Sequence, residues 1–158
     1  MTAPADPTSL LDPADHRRLG VNLFNHVWTL LDAPRRSEDD TFEMIHAAHA
    51  SLWHWSRRGV GEPVNIVRGE WQVSRVCAAA GRAEPAMVHA RRCLALCQAH
   101  AIADFDLAFA HEAVARAAHA AGDTATRDEH LNHARACAGA IADPEDRDHL
   151  HAQLATIT

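Results

Sequence analysis

Three features of this chain of 158 residues predict an all-α domain of about seven helices. Alanine, the strongest helix former, dominates the apolar residues, while tyrosine is absent and β-branched residues are sparse. Apolar residues recur at helical spacing along most of the chain. Proline and glycine fall mostly in the gaps between these periodic segments, where helices are expected to start and stop. No segment reads as a strand, and the length suits one domain with its own core.

Residues 1–12, rich in proline, alanine, threonine and aspartate, read as a flexible arm before a single domain over 13–158. The first helix is expected from Ala14 to Leu31, with Leu19, Leu23, Val27 and Leu30 or Leu31 at helical spacing. The segment D32-A-P-R-R-S37 breaks it, and Ser37 offers an N-cap. Glu38, Asp39 and Asp40 then place negative charge at the positive end of the second helix. That helix runs to about Arg57, G59-V-G-E-P63 stops it, and Pro63 suits the first turn of the third. The third reaches Ala80 and ends on Gly81, a left-handed C-cap. The fourth takes Glu84 or Pro85 to Ala99. The fifth runs from Asp104 to Ala121 and stops at Gly122; Asp104 and Asp106 read there as capping, dipole-facing acids. Asp123 or Thr124 caps the sixth, which ends between Gly139 and Ala142. D143-P-E-D146 is the clearest start in the chain, with an N-cap aspartate and a proline at the first helical position; it opens a seventh, terminal helix.

The formal charge is −6 with histidine neutral, and the 13 histidines would reverse that sign if most protonated. Without a lysine or arginine cluster the chain lacks the footprint for gripping phosphate backbones, so nucleic acid is not expected as a partner. The first dozen residues carry no charged and apolar signal pattern, and no run approaches the roughly 20 apolar residues that span a bilayer. Cys77, Cys93, Cys97 and Cys137 lack a C-x-x-C spacing and read as reduced thiols, which points to the cytoplasm.

An internal repeat emerges when Gly81 is aligned with Gly122, a spacing of 41. Small or apolar residues then coincide at Val73/Val114, Cys77/Ala118, Ala90/Leu131 and Cys93/Ala134, and Arg75 matches Arg116. In this the chain resembles a divergent member of the tetratricopeptide-repeat family, whose units are antiparallel helix pairs. Gly81 and Gly122 match the family's turn glycine, and Ala86, Cys93 and Ala134 match its small positions. Arg127 departs from that pattern, and the family's early tryptophan and terminal proline are missing. The resemblance covers residues 62–142 and implies a short α-solenoid, with helices one and two as a degenerate leading pair and helix seven as a C-terminal cap. The chain is also similar to a group of small, uncharacterised bacterial helical proteins with HAAHAS, RGEW and DFDLAFA segments, which implies no activity.

Three sets of residues are candidates for function. His46 and His49, three apart on the second helix, reach toward one divalent transition metal if Glu70 or Glu112 adds a carboxylate; Asp106 is a further donor. H-x-x-H alone lacks the glutamate of the strong zinc motif, so packing and interhelical hydrogen bonds are the competing reading. His89, Cys93, Cys97 and His100 form a stripe on the fourth helix, but one straight helix spreads its ends about 16 Å apart and cannot gather them on one ion. Cys93 and Cys77 therefore read as core. The third set follows from the resemblance, which implies that the first helix of each pair lines a concave face. Arg68, Trp71 and Arg75 would face that groove beside Phe109, Glu112, Arg116 and His119, with Trp53 joining from helix two. Arginines beside aromatics favour carboxylate or phosphate ligands. The sequence thus predicts a non-enzymatic protein- or peptide-binding module without a cofactor. A metal-dependent enzyme built on His46 and His49 is the alternative. Self-association is expected if Trp55 is exposed, because Trp53 and Trp55 cannot share one seam.

Overall fold

The computed structural model describes residues 10–158; most of the N-terminal arm, residues 1–9, lies outside the described residues. Seven helices follow one another: α1 (Pro13–Leu31), α2 (Glu38–Trp55), α3 (Pro63–Ala79), α4 (Ala83–Ala99), α5 (Asp104–Ala121), α6 (Thr124–Ala138) and α7 (Pro144–Leu154). There is no strand among the described residues.

Local chemistry sets most of the starts. Asp12 accepts the Asp15 N–H at 2.8 Å ahead of Pro13. Ser37 and Asp40 form a reciprocal capping box, in which Ser37 Oγ accepts the Asp40 N–H and Asp40 Oδ2 accepts the Ser37 N–H. Asp123 and Asp143 cap α6 and α7 through the Thr126 and Glu145 N–H groups. The start of α5 corrects the sequence reading. Its N-cap is Ala103, with no side-chain cap bond, and Asp104 is held in the left-handed region at φ +59°.

The ends of α3 and α5 are copies. Gly81 and Gly122 take φ of +71° and +74°, where glycine escapes the Cβ clash. Past them, the Arg82 N–H reaches Cys77 O at 2.8 Å and the Asp123 N–H reaches Ala118 O at 2.9 Å, the Schellman closure in both. The end of α4 makes the same closure from Ile102 to Cys97 with Ala101, at φ +52°, in the glycine's place.

The helices pack as sequential antiparallel pairs: α1 on α2, α3 on α4, α5 on α6. Contacts of α2 with α3 and of α4 with α5 join the pairs, and α7 folds back on α5 and α6. Fully buried alanines, among them Ala86, Ala90, Ala117, Ala118 and Ala134, let the helices approach closely. α1 and α2 approach closely where the Ser51 hydroxyl donates to Gly20 O at 2.7 Å. A Cβ on Gly20 would stand 2.9 Å from the Trp55 indole nitrogen. Trp55 therefore packs in the α1–α2 seam, where it is half-buried. Trp53 is the more exposed of the two, at 40 %, and the Arg57 guanidinium lies over its ring. Trp71 packs against all three apolar clusters of the core.

Candidate functional site

A cleft of about 580 Å³ opens where the odd-numbered helices converge. Phe24 and Trp28 enter it from α1, Arg68 and Trp71 from α3, Phe105 and Phe109 from α5, and Asp146 and His149 from α7. Val67 and Cys93 lie at its apolar base, and the start of α5 adds its N-cap Ala103 and the strained Asp104. The aromatic rings form a continuous wall. Trp28 and Trp71 are 5.6 Å apart, Trp71 meets Phe109 edge-on at 5.8 Å, and Phe105 leans on Phe109 at 4.4 Å. His149 stacks on Phe109 at 5.6 Å.

Of the residues predicted to line the groove, the cleft takes Arg68, Trp71 and Phe109. Arg68 is gripped by Asp106 through two bonds, 2.8 Å at Nε and 3.1 Å at Nη2, which raise its pKa further. Asp106 is thus a cleft residue paired across to α3, not a capping acid. Glu112 is buried behind Trp71, accepting the indole N–H at 3.0 Å and the Arg116 Nε–H at 2.6 Å. Arg116 also donates to Gln153 O and Thr156 Oγ1 at the end of α7, and Arg75 donates to Gln153 Oε1. Burial, with Arg116 nearby, lowers the Arg75 pKa. Both arginines thus brace α7, outside the cleft lining. His119 is exposed beyond it, and Trp53 packs at the far seam against His16. Phe24, Trp28, Asp146 and His149 are wall residues that sequence reasoning missed; their helical register gave no sign that α1 and α7 close the cleft.

The residues of the metal alternative are dispersed. His46 lies beside Phe42, while the His49 Nδ1–H donates to its own helix at Ile45 O. Glu70 is buried and accepts His89 Nδ1–H and Arg92 Nε–H, both at 2.6 Å. His49 approaches this group edge-on at His89, 5.4 Å between ring centres. Among the described residues no three His, Cys, Asp or Glu side chains are arranged to hold a metal. Cys93 is buried, its thiol directed to Val67 O at 3.4 Å, and a bond with the Cys97 thiol, together with burial, raises its pKa well above the ordinary value.

Advancing the Glu70 group by the repeat spacing gives His111, His130 and His133, and these too form a cluster. His111 Nδ1 and His130 Nδ1 are 3.0 Å apart, and the His133 ring stacks 5.0 Å from His111. Burial, then the neighbouring His130 and His133, lowers the His111 pKa to about 4.

Fold and site together define an all-α protein of stacked helix pairs with an aromatic cleft between its odd-numbered helices. Compared with protein-family models, curated proteins and solved structures, the chain matches none. No helix among the described residues is long and apolar enough to cross a membrane.

Proposed function

We propose that the protein is a non-enzymatic interaction module of short tetratricopeptide-like build, acting in the cytoplasm and holding an extended peptide or partner helix in its central cleft. The observation that carries this reading is the origin of the cleft walls. The first helices of the three pairs, α1, α3 and α5, all contribute, as such helices do in that family, and the terminal α7 closes the cleft. The cleft's volume falls inside the range of roughly 300–1,000 Å³ common to ligand pockets. Its walls are aromatic, the residue type that anchors binding interfaces. The repeat gains support from its matched glycine turns, and from Trp71 and Glu112, equivalent positions 41 apart that bond to each other.

Selection of displayed peptides on the immobilised full chain tests the proposal. Trp28→Ala, which removes one wall of the cleft, is expected to weaken a selected peptide about tenfold or more while far-UV circular dichroism stays unchanged. Undiminished affinity in a folded Trp28→Ala variant would remove the cleft as the binding site.

A further inference from the structure

Resting on the reading of the cleft as a binding site, we infer that its occupant inserts a basic side chain, lysine or arginine, between the aromatic wall and an acidic rim. One arginine faces three aspartates in the lining. That arginine, Arg68, already has both forks on Asp106. Among the described residues neither Asp104 nor Asp146 is in an ion pair. Arg75 and Arg116, the two cations that would have made the groove receptive to a carboxylate, are committed to Glu112, Gln153 and Thr156. The electrostatic balance left for an occupant is therefore negative.

The walls favour the same sign. The faces of the half-buried Trp28 and Trp71 carry the negative part of the ring quadrupole, which attracts ammonium and guanidinium groups. The stem of a lysine or arginine would cover apolar ring surface while its head reached the exposed carboxylates at the rim. Asp104 adds an independent sign of purpose. Among the described residues it is one of two non-glycine residues with positive φ, Ala101 in the α4–α5 connection being the other, and backbone strain of this kind gathers at functional sites.

The probes are N-acetylarginine amide, its neutral isostere N-acetylcitrulline amide, and N-acetylglutamate amide, titrated into the full chain while the Trp28 and Trp71 indole signals are followed by NMR. The arginine probe is expected to bind about tenfold more tightly than the citrulline probe. Asp146→Asn should reduce that preference by about threefold. Arg68→Gln, which releases Asp106, should strengthen arginine binding severalfold; if Arg68 were instead the anchor for an acidic ligand, the same change would abolish binding. Equal binding of arginine and citrulline, or preference for the glutamate probe, would overturn the basic-side-chain inference and leave the groove reading standing. Loss of every peptide at Trp28 and Trp71 would remove both.

Discussion

The α3–α4 and α5–α6 pairs hold different chemistry in the same slot. In the first, the buried Glu70 carboxylate is clasped by His89 and Arg92, each at 2.6 Å. In the second, the equivalent positions are all histidine, and His111 meets His130 at 3.0 Å with His133 stacked beside it. One slot is an ion-paired network and the other a packed group of imidazoles without a carboxylate between them. A repeated scaffold thus fixes where a polar cluster forms, while the residues that fill it set its strength and its response to pH.

The largest difference should appear on truncation. Glu70→Ala removes two charge-assisted bonds at a buried position and is expected to cost about 2–3 kcal/mol in urea unfolding at pH 7.5. His111→Ala, at the matching position, should cost about 1 kcal/mol or less, because its bond is between neutral groups. Equal losses would break the comparison.

Acid response separates the clusters next. In the unfolded chain His111 takes up a proton near its ordinary 6.5, but in the folded cluster only near 4. Between those values the unfolded state binds more protons, so stability falls as pH drops through this window. The groups facing the cluster are His130, His133, Glu129 and Arg91. Because the site is partly exposed, the full shift is discounted to a loss of about 1–2 kcal/mol. Transplanting the first cluster into the second slot, His111→Glu with His133→Arg, should flatten this acid loss in chelator-treated protein. An unchanged pH profile would show that other groups carry it.

The smallest effect concerns the turns that close α3 and α4. Ala101→Gly, at φ +52°, should relieve left-handed strain and raise stability by about 0.5 kcal/mol. Gly81→Ala, at φ +71° with open space around a new Cβ, should cost about 1 kcal/mol from backbone strain alone. Thermal unfolding measures both.

Much of the fold was legible because its punctuation is local. Ser37, Asp143–Pro144, Gly81 and Gly122 act through bonds to residues a few positions away, and each helix forms within a few residues of its expected span. The cleft was half legible. The register of α3 and α5 exposes Arg68, Trp71 and Phe109, but the return of α7 decides that Arg75 and Arg116 brace a helix end. That is a long-range fact with no local signal. Asp104 and Asp106 read as caps because acids open helices generally, whereas here one is strained and the other is bound across to Arg68. The histidine cluster lay within reach of the repeat spacing. His130 and His133 read instead as solvated side chains, because Glu70 pairs with His111, and Arg92 with His133, as unlike residue types.

The most direct test of the account uses the four tryptophans as internal reporters. Trp28 and Trp71 line the cleft, whereas Trp53 and Trp55 belong to the α1–α2 side. A ¹H–¹⁵N spectrum of the indole N–H groups, recorded as a selected peptide is added, resolves them. Binding in the cleft moves the Trp28 and Trp71 signals together with saturation while that of Trp53 holds still. Movement confined to Trp53 would place binding outside the cleft and contradict the proposal.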